Sequence, residues 1–334
     1  MDPLSQGVIG ASLSQSFSNN RNIFFVFIVG FLSGVFPDID IFFRSNHDPL
    51  LFLEFHRQFT HSLIFIPLGG FIFTLIFYGL FFKLIPFGFL KTWLFATLGY
   101  GTHGLLDACT SYGTQLLWPF SNERISWNNI SIIDPLFTIP VLIFLILSLT
   151  KKKSFWAKIA LGWALIYLII GFIQNHRAEQ VANEIVTQRN HHPEIISVKP
   201  SFGNLILWKI IYQYNGYFYI DAVNIGPKKE IFTGHQIKKF NESDLSYLDD
   251  LRDVQKKDIN RFLWFSQDFV AINPQNEYEL LDIRYSNLPN EIGGLWGIHL
   301  TPNMESHVEF ISNRSLQKRD FKQFFQMIFN GYFD

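Results

Sequence analysis

Histidines and aspartates gather in four short segments of the first half of the chain: Pro37-Asp38-Ile39-Asp40, His56-Arg57-Gln58-Phe59-Thr60-His61-Ser62, His103-Gly104-Leu105-Leu106-Asp107 and Asp134-Pro135. Each lies at the end of an apolar stretch, where an ionisable side chain is costly unless it is paired or holds an ion. On a helix, His103 and Asp107 are four apart and share a face, so one imidazole nitrogen and one carboxylate oxygen can meet the same ion. His56 and His61 converge only if the chain turns between them, which the start of an apolar run at Ser62 allows. Pro37 disfavours helix at Phe36, so Asp38 and Asp40 are expected in a non-helical turn from which both reach inward. Asp134 either caps the helix that follows its proline or takes part in catalysis. Arg57 either pairs with a surplus carboxylate or binds an anionic substrate.

Three histidines with several carboxylates suit Zn²⁺, Mn²⁺ or Fe²⁺ better than Mg²⁺, because imidazole prefers the later metals. The set exceeds the three protein ligands of one catalytic zinc. We therefore expect Asp38, Asp40, His56, His61, His103 and Asp107 to ligate one or two divalent ions, Zn or Mn, with Asp134 and Arg57 in catalysis. A two-metal centre activates water and clamps the attacking and leaving oxygens, which fits phosphoester hydrolysis. A separation of His61 and His103 above about 12 Å would exclude a shared site, since metal–ligand bonds are only ~2.0–2.2 Å. His47 and His176 are expected to be amphipathic interface residues, and Asp48 and Glu123 solvated loop acids.

The elements that must position these groups are membrane helices. Aromatic residues make up 17% of the 334 residues and charged residues only 16%, below the roughly 25% of a soluble domain. Up to Asn175 there are ten Lys/Arg and eight Asp/Glu, leaving 17 and 20 for the remainder. That asymmetry predicts a helical transmembrane domain over 1–175 and a soluble domain over 176–334. Apolar runs of about 20 residues span a bilayer. Ser62–Phe82, Ile130–Leu149 and Phe155–Gln174 are the clearest, and Asn22–Phe36 and Thr92–Cys109 complete about five spans. Leu4–Phe17 reads as a short N-terminal helix tucked against the bundle, and no small-residue cleavage site follows the apolar stretch near Phe36.

Lysines 83, 91, 151, 152, 153 and 158 fall in two connections, which the positive-inside rule places in the cytoplasm. The site, both termini and the second half then lie on the extracytoplasmic side. In that half, apolar runs flank Asn215-Gly216, a type I′ hairpin signal. Leu245–Phe269 has helical periodicity with Ser243 or Asp244 as N-cap, and Glu277–Tyr285, Leu295–Leu300 and Val308–Asn313 read as strands. The pattern predicts an α+β domain with an antiparallel sheet and a helix on one face. The net charge of −1 excludes charge-driven nucleic-acid binding. Cys109, the single cysteine, excludes an intrachain disulfide and a cysteine-based zinc site.

The opening Met1-Asp2-Pro3-Leu4-Ser5-Gln6-Gly7, the segments PDID (37–40), HRQFTHS (56–62), HGLLD (103–107), GTQLLWPF (113–120) and DP (134–135) together resemble the YdjM-like family of inner-membrane proteins, described as metal-dependent hydrolases. The likeness continues more weakly through Pro200–Trp208 and Asp282-Ile283-Arg284-Tyr285, as in longer members. The resemblance implies a multi-pass inner-membrane protein, a metal held by these histidines and aspartates, and a hydrolase reaction. Many relatives carry Thr-His where this chain has Ser5-Gln6; Gln6 can accept a hydrogen bond or offer a weak carbonyl ligand, but a metal bound through that histidine is lost. With the site at a bilayer face, the substrate expected is membrane-associated, a lipid or other phosphoester, with membrane lipids as surroundings. The other readings are an ion-coupled transporter, disfavoured because Ser62–Phe82 holds no acids or bases, and a non-catalytic anchor with a structural metal.

Overall fold

The computed structural model describes residues 1–313 and 318–329. The chain divides into two compact units, one of residues 1–42, 55–173 and 202–205, the other of 43–54, 174–201 and 206 onward. The segment 43–54, which lies among the loops of the apolar half in sequence, clusters with the second unit. Asp48 is correspondingly not a solvated loop acid: it is paired to Arg261 at 2.9 Å.

The first unit is helical. Helix α1 (Pro3–Ser16) starts where Asp2 accepts the Ser5 N–H and Pro3 occupies the first turn. It is buried around almost its whole circumference from Ser5 to Gln15, as a helix inside a bundle must be. Helix α2 (Ile23–Val35) tightens into a 3-10 segment at Phe36–Phe42. Asp38 and Asp40 therefore sit on a 3-10 extension of the helix rather than in the non-helical turn expected, because the proline ring ends the α pattern without ending the helical path. A short α3 (Leu51–Phe55) and 3-10 turns at Phe59–His61 and Leu63–Phe65 lead into α4 (Ile66–Phe81). Then follow α5 (Phe89–Ala108), α6 (Pro135–Lys151) and α7 (Phe155–Gln188).

Among the described residues, three segments are long and apolar enough to cross a membrane: Asn20–Phe42, Leu63–Phe81 and Phe155–Gln188. Helix α6 is apolar but shorter, and α5 has the length but carries Lys91, Thr92, Thr102, His103 and Asp107.

Glycines set the spacing of α1, α2 and α5. A Cβ on Gly34 would stand 2.8 Å from the Gln6 carbonyl, and one on Gly10 would stand 2.6 Å from the Gly30 carbonyl. Backbones approach this closely only where small residues form the seam. Around it pack Val26, Val29, Phe73, Phe95 and Ala96.

Among the described residues, the second unit holds two four-stranded antiparallel sheets, each in sequential order, where a single sheet was expected. The first comprises β1 (Ile195–Pro200), β2 (Leu207–Tyr214), β3 (Tyr217–Asn224) and β4 (Glu230–Lys238). The second comprises β5 (Val270–Asn273), β6 (Asn276–Asp282), β7 (Trp296–His299) and β8 (Glu309–Ser312). The β2–β3 turn has φ of 49° at Asn215 and 74° at Gly216, as a type I′ turn requires. Ile211, Phe218, Ile220 and Ile237 pack on Phe269, Ala271 and Ile283, joining the two sheets.

Helix α8 spans only Asp253–Phe265, later than the periodicity suggests, and Arg252 precedes it. Glu242–Asp244 instead forms a 3-10 turn capped by Asn241, so neither Ser243 nor Asp244 caps the helix. The final helix, α9 (Lys318–Phe329), packs Met327 against Leu207, Ala222 and Leu288.

Candidate metal centre

His103 and Asp107 lie one turn apart on α5, both fully buried. The His103 ring donates from Nδ1 to the Gly34 carbonyl at 2.6 Å, a bond available because the glycine seam brings α2 against α5. A donor at Nδ1 leaves a lone pair at Nε2. His61 reaches the same point from the turn before α4. Its Nδ1 faces Asp40 Oδ2 at 3.2 Å and Thr60 Oγ1 at 2.9 Å. Thr60 gives its own proton to Asp40 at 2.7 Å and can accept there, so Nδ1 of His61 carries a proton. The two Nε2 atoms stand 3.0 Å apart. Nitrogens at that distance share a proton, or a metal ion that takes its place.

Asp38 and Asp107 complete the surroundings. Asp38 Oδ1 is 3.3 Å from His103 Nε2 and 3.6 Å from His61 Nε2. Asp107 Oδ2 is 3.3 Å from His61 Nε2 and 3.9 Å from His103 Nε2. Ligands ~2.0–2.2 Å from one tetrahedral ion stand about 3.3–3.6 Å from each other, close to this set. Asp107 Oδ2 is buried and accepts no hydrogen bond, although Arg57 Nε lies 2.9 Å away as an ion pair. A carboxylate oxygen facing two imidazole nitrogens is a donor set that suits a divalent ion.

The surroundings hold these ligands in place. Asp107 Oδ1 accepts the Gln6 amide at 2.8 Å and the Met1 amino group. Gln6 thus supplies no histidine nitrogen here but orients a carboxylate ligand. Asp40 accepts the Arg57 backbone N–H at 3.0 Å and faces His56 Nδ1 at 2.8 Å. It therefore orients His61 in the manner of a carboxylate–histidine–metal relay. Asp38, Asp40 and His56 form a second cluster with ligand atoms within 4.8 Å of one another, sharing Asp38 with the first.

His56 and His61 can both face the site because Arg57 has φ of 66°, a left-handed turn uncommon for a residue with a side chain. The Arg57 guanidinium is held by Asp107, by Thr110 Oγ1 at 3.1 Å and over the Tyr112 ring at 4.6 Å. Although burial opposes the charge, Asp107, Asp38 and Asp40 push the His61 imidazolium up to about 10. A proton and a metal ion answer the same negative field.

All six expected ligands thus converge. Arg57 joins them. Asp134 belongs to neither cluster; it accepts the Leu136 and Phe137 N–H groups as the cap of α6 and the Tyr167 hydroxyl at 2.9 Å. The expected choice between cap and catalyst falls to the cap in geometry. The Gly34 carbonyl, Thr60, Thr110 and the contact of Gln6 with Asp107 were not anticipated. Thr60 was visible inside HRQFTHS, one residue before His61.

A cavity of about 580 Å³ opens beside Asp38, His56 and Arg57. The rest of its wall is largely apolar, including Leu32, Val35, Phe36, Ile39, Phe42 and Phe73.

Apolar helices of spanning length around a buried histidine–aspartate cluster define a helical membrane protein. The chain belongs to the YdjM inner membrane protein family, which it matches over residues 1–178. It is also similar to the uncharacterized protein YfhP of Bacillus subtilis, 32% identical over 99 residues, 30% of this chain and 29% of that protein. Inner membrane protein YbcI of Escherichia coli is 39% identical over 74 residues, 21% of this chain and 39% of that protein. The chain therefore spans well under half the length of either relative. No solved structure matches it.

Proposed function

We propose that the protein is a metal-dependent hydrolase of a membrane-associated phosphoester, with Asp38, His61, His103 and Asp107 holding a divalent ion, Zn²⁺ or Mn²⁺. The observation that carries this reading is the 3.0 Å approach of two imidazole nitrogens between two carboxylates. When bound, such an ion supplies Lewis-acid polarisation of an ester oxygen and a lowered pKa for water. Asp38, Asp40 and His56 offer room for a second ion, in which case His56 is a ligand. With one ion, His56 lines the cavity, oriented by Asp40, and burial lowers its pKa. It is then a neutral imidazole suited to move a proton. Arg57 lies on the cavity wall and offsets the carboxylate charge that would otherwise repel a phosphate. The apolar wall from Leu32 to Phe42 suits the tail of a lipid.

The topology that goes with this reading has five spans, α5 and α6 crossing in addition to the three longest segments, and the site at the extracytoplasmic face. Activity fusions after Lys153 and after Asn175 test the orientation; cytoplasmic activity of the second inverts it. Metal analysis of detergent-purified protein, followed by assay on vesicles of phosphatidic acid and phosphatidylglycerol, tests the chemistry. Stoichiometric metal with phosphate or headgroup release is expected. Metal without any hydrolysis would leave a structural ion in a membrane anchor.

A further inference from the structure

Within the second unit, Lys199 on β1 and Lys209 on β2 are directly opposed register partners. Opposed residues of antiparallel strands project to the same face, and like charges placed so repel. Lys209 shares that face with Ile211, which packs on the second sheet, so both amines point into the protein. Lys199 and Lys209 are each 4% exposed and Arg284 1%.

These three cations surround the turn that follows β6. Lys199 Nζ stands 5.3 Å from the Tyr285 ring centroid and 5.8 Å from that of Phe269. The Arg284 guanidinium lies 5.4 Å from the same Tyr285 ring. Lys209 donates to Ser286 Oγ at 2.7 Å and to the Glu291 carbonyl at 2.9 Å.

Two carboxylates answer them, Asp282 and Glu291, whose charges both act on Lys209. Asp282 is committed to Arg284, receiving Nε at 2.9 Å and Nη2 at 2.7 Å. Neither lysine is within ion-pair distance of an acid among the described residues, and Lys199 makes ring contacts alone. A buried charge normally has a partner, and an apolar side chain of similar size would serve folding better. With both amines protonated, three cations less two carboxylates leave one positive charge, which a phosphate monoanion neutralises. Lysine amines are suited to phosphate as point charges, and the Arg284 fork is already filled.

We propose that Lys199 and Lys209 form a buried anion site, taking a phosphate group either free or as a phosphomonoester. The site lies wholly in the second unit and stands independently of the hydrolase reading. Burial lowers the pKa of both amines, that of Lys209 to about 7, so binding of the anion draws protons onto them.

The test is calorimetric titration of the full chain in detergent, stripped of metal by chelator and dialysed, with inorganic phosphate and with glycerol 3-phosphate. We expect one saturable site per chain, with heats that change with the ionisation enthalpy of the buffer because protons are taken up. Lys199→Met and Lys209→Met each weaken binding at least tenfold, Lys199→Arg retains it, and the exposed Lys229→Met has no effect. Tighter binding of glycerol 3-phosphate identifies an ester as the occupant, and tighter binding of phosphate identifies the free ion. Absence of saturable binding of either anion to the unaltered protein overturns the proposal, whether or not the variants fold. So does unaltered binding by Lys199→Met.

Discussion

The two units bury ionisable groups of opposite kind. In the first, two histidines face each other among carboxylates, with Arg57 as a partial counterweight. In the second, Lys199, Lys209 and Arg284 converge beside Asp282, which is committed to Arg284, and Glu291. Both arrangements would cost less as apolar packing, since desolvating an ion is expensive unless its partner is close and well aligned. The sign of the uncompensated charge therefore indicates the sign of the ligand, a cation for the first unit and an anion for the second. The means of positioning differ as well. The helical unit uses glycine seams and a left-handed residue at Arg57, whereas the sheets use register alone.

The largest expected effect follows from removing a first ligand. His103→Ala should lower metal affinity by more than about 100-fold, beyond the range for outer-shell groups, and abolish hydrolysis while the protein stays inserted. Metal content per folded molecule, measured by mass spectrometry, checks it; a full complement would show that His103 is structural. Acidification should act on the same centre. Because His61 holds its proton up to about 10, a metal ion must displace that proton below this pH. Apparent affinity should then rise about tenfold per pH unit from 6 to 8 and fall as the pH drops. A flat profile would mean that His61 does not contribute Nε2.

Asp40→Asn removes the orienting acceptor but no ligand of the first cluster. A loss of about 10–100-fold in affinity, with metal still bound at saturation, is expected. Gly104→Ala tests the packing behind the ligands. The added Cβ would stand 2.2 Å from the His61 carbonyl, so the turn carrying His61 must shift. A cost of about 1–3 kcal/mol in thermal stability, with weaker metal binding, should follow. The smallest effect belongs to the second unit: in phosphate-free buffer Lys199→Met should stabilise it by roughly 1 kcal/mol, read as slower hydrogen exchange in β1 and β2. Destabilisation would show that the ammonium is satisfied by its two rings, and would break the symmetry between the units.

What the sequence determined by itself was local. His103 and Asp107 share a helix face because of their spacing, Asp134-Pro135 starts α6, and Asn215-Gly216 makes a hairpin, all through short-range backbone geometry. The division into an apolar and a charge-rich half likewise follows from composition. Strands β1, β4 and β5 were not legible, since β1 ends in Pro200, much of β4 is exposed and polar, and β5 follows directly on the run to Phe269 that has helical periodicity. Only the tertiary structure decided that Gln6 holds Asp107, that the Gly34 carbonyl fixes the tautomer of His103, and that Lys199 opposes Lys209 beside Arg284. Those contacts join residues far apart in the chain, and their partners are set by backbone approach and strand register. Neither leaves a mark in residue spacing, because each depends on which surfaces bury together once the chain has folded.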